Sequence, residues 1–178
     1  MPTLYTIAYP RLPADAAAFV DDLRREHDAA AHGSIATHFT LVFGASGVDP
    51  GTHHAHVRAV AAASAGPLPF TCRHAMLAAD LSGQRAHVFL VPDEGFAAIS
   101  QLHDRLYTGP LDACLRLDVP YIPHITVATL ADRHRARALC TKLNQAGLAI
   151  AGQLDQLTIG ALHGGQFVDQ CAVRLGPG

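Results

Sequence analysis

The chain has 178 residues, 49% of them hydrophobic and 16% charged, with a net charge of −2 when histidine is neutral. That balance argues for a folded protein with a substantial core and against disorder, and the slight acidity excludes the basic footprint of a protein that grips long nucleic acid. No run approaches the ~18 consecutive apolar residues of a membrane span, and Met1-Pro2-Thr3-Leu4-Tyr5 lacks the basic and apolar segments of a secretory signal, so a cytoplasmic location is expected.

Leu4 to Tyr9 alternates and is rich in β-branched and aromatic residues, which predicts a strand that Pro10 and Pro13 end. Ala14 to about Ala30 reads as a helix with Phe19, Val20 and Leu23 on one face. A strand over Thr37 to Phe43 follows, then a loop over Gly44 to Gly51. Thr52 to Ala65 has helical spacing and is stopped by Gly66-Pro67. Pro69 to about Ala79 is a strand, and Ser82-Gly83 a turn. Arg85 to Val91 is a strand, and Asp93 is the predicted N-cap of a helix from Glu94 to Tyr107. Leu111 to Pro120 is irregular. Ile122 to Leu130 is a strand, and Asp132 caps a helix through Ala146 with Gly147 as its stop. Leu154 to Leu162 and Gln166 to Leu175 flank His163-Gly164-Gly165, a hairpin signal.

The order strand, helix, strand, helix, strand occurs twice, over 4–79 and 85–162. In both copies the middle strand carries the same pattern, His38-Phe39-Thr40-Leu41 and His124-Ile125-Thr126-Val127, the histidines standing 86 residues apart. A repeat this long fits a duplicated lobe rather than a solenoid unit. The expectation is a single domain over 1–178 made of two pseudo-symmetric lobes, about 1–80 and 81–178, with the last strand added at the C-terminus. Alternate strand residues share a face, so each histidine and threonine can face a cleft while their apolar neighbours face a core. A pseudo-twofold would bring the two strands across one groove.

Two histidines near neutral pH can hold one protonated and one neutral ring, a general acid and a general base. Two threonine hydroxyls can donate to oxygens that gain charge. Such a set suits displacement at phosphorus, and the sequence has no Asp/Glu cluster for Mg²⁺ and no H-E-x-x-H; neither a metal nor another cofactor is expected. His53-His54-Ala55-His56 reads as solvated helix residues rather than a metal site. Cys72, Cys114, Cys140 and Cys171 are widely spaced and read as free thiols.

On these motifs, and on length and order of elements across the whole chain, the sequence resembles the 2H phosphoesterase superfamily, in particular the 2′-5′ RNA ligase-like (cyclic phosphodiesterase) group. The resemblance implies an α+β, bilobal duplicated fold, with two antiparallel sheets around a central cleft and helices on the outside. It implies metal-independent hydrolysis of a 2′,3′-cyclic phosphate to a 2′-phosphate, or cleavage and joining of a 2′-5′ linkage. His38 and His124 match the family's catalytic histidines, and Thr40 and Thr126 its phosphate-binding hydroxyls. Phe43 stands where many relatives carry an aromatic that can stack a base. Thr129 stands where several relatives carry an arginine; this points to a smaller ligand or to a cation from elsewhere, with Arg73, Arg85 and Arg116 as candidates. The expected partner is a small phosphorylated substrate, a nucleotide or an RNA end, met by a monomer. The alternative reading is a binding module that holds such a ligand in the same cleft without turnover. A histidine-rich metal-binding protein is a third.

Overall fold

The structure is a computed structural model and describes residues 2–79 and 83–177, so Ser82 of the expected turn lies outside the described residues. The strands are β1 (Leu4–Ala8), β2 (Phe39–Ala45), β3 (Leu68–Ala79), β4 (Ala86–Glu94), β5 (Ile125–Leu130), β6 (Ile150–Leu154), β7 (Gln156–His163) and β8 (Gln166–Arg174). They form two antiparallel sheets, ordered β2-β1-β7-β8 and β5-β4-β3-β6. Phe39 of β2 and Phe70 of β3 join the two sheets in the core, with rings meeting edge to face at 5.0 Å.

The helices are α1 (Ala14–His27), α2 (Ala29–His32), α3 (Pro50–Ala62), α4 (Phe96–Leu106) and α5 (Arg133–Gln145), with one 3-10 turn over Gly109–Cys114. Asp49 caps α3 by accepting from the Thr52 amide at 2.9 Å, and Pro50 fills the first helical position, where no amide hydrogen is needed. Asp132 caps α5 as expected, accepting from the amides of His134 and Arg135. Among the described residues no helix is long and apolar enough to cross a membrane.

Helices α3 and α5 each cover the sheet of their own half. Helices α1 and α4 reach the other half: α1 packs against β5, and α4 lies against β2 as well as β3 and β4 of its own half's sheet. Helices α1 and α4 follow the first strand of each repeat, and α3 and α5 follow the motif strands.

The sheets do not divide at residue 80. β3 joins the second sheet, and β7 and β8 join the first, because each repeat's final strand pairs with the other repeat's first strand: β3 with β4, and β7 with β1. Three other expectations change. Asp93 does not cap α4; it ends β4 and binds Arg73 through both carboxylate oxygens at 2.9 Å. Gly95 begins α4 at φ 85°, where a Cβ would lie 2.5 Å from the Pro69 carbonyl oxygen. The helix expected to run to Ala30 breaks at Asp28, and the strand expected from Leu154 begins instead at Gln156, Leu154 being the last residue of an additional short strand, β6. Gly164 and Gly165, at φ 57° and 83°, make the expected hairpin turn between β7 and β8.

His53 points into the core rather than to solvent. It is fully buried, with Nε2 2.9 Å from the buried Thr6 hydroxyl. Burial first, then repulsion from His54 and His56, pushes its pKa down to about 4. His56 donates from Nε2 to the Leu106 carbonyl at 3.0 Å. The two histidines are thus committed to separate partners, and among the described residues no three His, Cys, Asp or Glu side chains cluster as a metal site.

A neutral buried histidine makes stability fall in acid. Unfolded, His53 titrates near 6.5; folded, near 4. Its contribution is complete above pH 6.5 and declines as pH falls toward 4, by roughly 3 kcal/mol at ~1.36 kcal/mol per unit. Urea unfolding at pH 7 and pH 4.5 is expected to show a smaller acid loss in His53→Leu than in the parent; equal losses would place the sensitivity elsewhere.

Candidate active site

Both motif strands carry the same irregularity. Opposite β1, Thr6 pairs with Val42 and Ile7 with Thr40, leaving Leu41 as an extra residue. Opposite β4, Val88 pairs with Ala128 and Phe89 with Thr126, leaving Val127 extra. Each is a β-bulge, which turns two consecutive residues inward. Leu41 and Val42 are both buried, as are Val127 and Ala128. The outward face therefore carries Thr40 and Phe43 on one strand, and Thr126 and Thr129 on the other. Phe43 and Thr129 hold equivalent places.

His38 and His124 each stand one residue before their strands. His38 donates from Nδ1 to the Ala36 carbonyl at 2.8 Å, and His124 from Nδ1 to the Ile122 carbonyl at 2.6 Å. A carbonyl accepts only, so the hydrogen of each neutral ring is on Nδ1 and the lone pair is on Nε2. Burial lowers the pKa of both rings. The Ala36 carbonyl opposes this at His38, while the Arg24 charge adds to it. His124 is pushed down to about 4 by burial, against the Ile122 carbonyl and aided by His38 and His87. The two rings are thus near enough for their charges to interact.

Aromatic rings fix the second arm. His124 lies on Phe89 with centroids 3.7 Å apart, and Phe89 is stacked in turn with His87 at 5.6 Å. Tyr121 stacks on His103 at 3.7 Å and donates its hydroxyl hydrogen to the Thr40 carbonyl at 3.1 Å. The Tyr107 hydroxyl accepts from the Phe43 amide at 2.9 Å. Since β2 is an edge strand, these two tyrosines satisfy backbone groups that no neighbouring strand can reach.

A cavity of about 410 Å³ lies among these groups, lined by Thr40, Phe43, Phe89, His124, Thr126 and Arg116 with other apolar side chains. His38 is not part of that lining. A larger, open groove of about 990 Å³ runs past Arg24, Ala36 and Thr37 and includes neither motif histidine nor motif threonine.

A family model described as the 2′-5′ RNA ligase superfamily matches residues 12–166. The chain belongs to this superfamily. Its fold is shared with Usb1 of Kluyveromyces marxianus (TM-score 0.61, 10% identity, 98% of each chain covered) and with LigT of E. coli in complex with 3′-AMP (0.57, 18%, 98% of each). A structure described as a phosphoesterase is also similar (0.59, 16%, 99% of each). At these identities the likeness is one of fold. No curated protein matches the sequence.

Within this 2H phosphoesterase fold, the cavity lining brings together Thr40, Phe43, His124 and Thr126 of the residues named from sequence, and Phe43 is 42% exposed there. Of the three candidate cations, Arg73 is held by Asp93, Arg85 is exposed at the start of β4, and Arg116 lines the cavity while paired with Asp118. Thr129 instead meets His87, with Oγ1 3.1 Å from Nδ1. His87 and Phe89 were missed in the sequence. Their signal is the alternation in Ala86-His87-Val88-Phe89-Leu90, which puts both on one face beside the motif strand.

Removing the Phe89 ring should rehydrate His124. In Phe89→Ala the His124 pKa is expected to rise from about 4 toward the ordinary 6.5, read from the histidine ¹⁵N shifts in an NMR titration. An unchanged midpoint would mean that Phe89 does not shield the ring.

Proposed function

We propose that this chain is a phosphodiesterase that opens a 2′,3′-cyclic phosphate on a nucleotide or RNA end to give a 2′-phosphate, without a metal ion, or cleaves and rejoins a 2′-5′ linkage. The observation that carries the reading is the matched Nδ1–H to carbonyl bond of His38 and His124, which leaves Nε2 of both rings for proton transfer.

In hydrolysis one neutral Nε2 takes a proton from water as its oxygen bonds to phosphorus. The bond from phosphorus to O3′ breaks, and Nε2–H of the other ring, protonated beforehand, supplies the proton to that oxygen. The rings exchange protonation states, and solvent restores them. A phosphate anion between the rings favours the charged form of either one, offsetting the burial that keeps both pKa values low. Thr40 and Thr126 donate to the non-bridging oxygens. Phe43, exposed at the cavity, and its apolar neighbours offer a base a flat surface rather than hydrogen-bond partners. LigT seen with 3′-AMP and Usb1 with uridine monophosphate support a ligand of this size.

Nucleoside 2′,3′-cyclic phosphates incubated in EDTA and followed by ³¹P NMR are expected to give 2′-phosphates. His38→Ala and His124→Ala should each lower kcat by at least ~10²-fold. Parent-like rates in both variants would refute the reading. Tight binding of the cyclic phosphate without product would favour a binding module.

A further inference from the structure

The two motif histidines are tethered alike, but the carbonyls that tether them are held differently. Before His124, Pro123 has its φ fixed by the ring, and Tyr121 lies flat on His103. Ile122, whose carbonyl accepts from His124, thus sits between two restrained neighbours. The matching run before His38 is Ile35-Ala36-Thr37, with no proline and no stacked ring.

Backbone bonds hold the start of this run, from the Ser34 and Ile35 amides to the Ala31 carbonyl and from the Phe167 amide to the Ser34 carbonyl, and the side-chain restraint comes from Arg24 of α1. Its Nη2 donates to the Ile35 carbonyl at 2.6 Å and to the Ala31 carbonyl at 3.3 Å, and its Nη1 donates to the Thr37 hydroxyl at 3.2 Å. Ile35 and Thr37 bracket Ala36, the residue whose carbonyl receives the His38 hydrogen. We propose that Arg24 is a positioning residue for His38: its planar fork fixes the carbonyl that selects the ring's tautomer and aims Nε2.

An arginine is a demanding choice for this place. Arg24 is only 2% exposed, and its three acceptors are neutral. Removing a guanidinium from water costs several kcal/mol, which neutral acceptors return only in part. Burial lowers its pKa, against the charges of Asp28 and Asp21. Asp21 is itself paired with His32 at 2.9 Å and with Arg25 at 3.7 Å. Val20 beside it shows that an apolar side chain packs on this helix face. What a buried aliphatic residue lacks is a rigid set of donors that can reach residues on both sides of Ala36. The His38 charge acts in turn on His124, lowering its pKa. Arg24 thus does by hydrogen bonding what Pro123 and Tyr121 do by ring constraint and stacking.

The proposal rests on His38 taking part in proton transfer, and its test is separable from that reading. Histidine ¹⁵N NMR of the full chain reports tautomer and titration directly, whether or not turnover occurs. The parent is expected to hold His38 as Nδ1–H. Arg24→Lys keeps the charge without the fork, so the tautomers should mix while the midpoint stays low. Arg24→Met should both mix them and raise the midpoint. In both variants kcat on a nucleoside 2′,3′-cyclic phosphate should fall by roughly 10²-fold with KM little changed, the scale of a reacting group misplaced by about 1 Å. Circular dichroism and thermal melting confirm folding. Folded variants with the parent's tautomer and kcat would overturn the proposal. A changed tautomer in an enzyme whose parent shows no turnover would support the positioning role and refute the proposed reaction. If both Arg24 variants unfold, Thr37→Val removes one acceptor without stranding a charge; a parent-like tautomer and kcat there would overturn the proposal equally.

Discussion

A histidine that gives its Nδ1 hydrogen to a carbonyl two residues back has one nitrogen left for anything else, and the direction of that nitrogen is set by the backbone. Both motif histidines are built this way. The bond is local, so each half of the chain makes its own. The ring's direction, however, is only as well defined as the loop that carries the carbonyl. Much of what surrounds the site fixes those loops: the Tyr121–His103 stack and Pro123 on one side, the Arg24 fork on the other. The bulges then complete the geometry. By turning two apolar residues inward, each lets a threonine and the residue three positions later share the outward face.

The crossing of α1 and α4 ties the two arms together. Each helix follows the first strand of its own repeat and reaches the motif strand of the other, α4 resting on β3 and β4 as well. A shift of one lobe would therefore drag a helix away from the opposite histidine strand. Tyr107 and Tyr121 add hydrogen bonds across the same seam, at Phe43 and Thr40. Interactions that protect the exposed edge of β2 thereby also set the spacing between the halves.

The parts legible in sequence were those whose signal is local. Alternation marked the strands, Asp132 and the Gly-Gly turn marked their own boundaries, and the repeated His-x-Thr marked two strands from which Thr40, His124 and Thr126 line one cavity. Distant pairing left no such trace. Nothing in the sequence distinguishes Arg24, which is buried at the loop before His38, from Arg25, which is exposed and bonds Asp22. Nor does it show that Thr129 faces His87, since that depends on a bulge that shifts the register by one residue. His53 misled because a run of three histidines suggests solvent, whereas helical geometry turns one of them inward to Thr6. Asp93 misled because an acidic residue before a helix resembles a cap when its partner on another strand is unseen.

The exchange of final strands between the two repeats has a consequence for assembly. The sheet β5-β4-β3-β6 is drawn from one continuous stretch, Leu68 to Leu154. The other sheet pairs Tyr5 with Gly160, so β1 and β2 cannot gain β7 until almost the whole chain is available. Closing so long a loop is slow relative to pairing neighbours in sequence. On a ribosome, the lobe carrying His124 can form while the lobe carrying His38 still lacks half its strands. The first sheet, which carries His38, is therefore completed only after β7 pairs with β1, later than the sheet that carries His124.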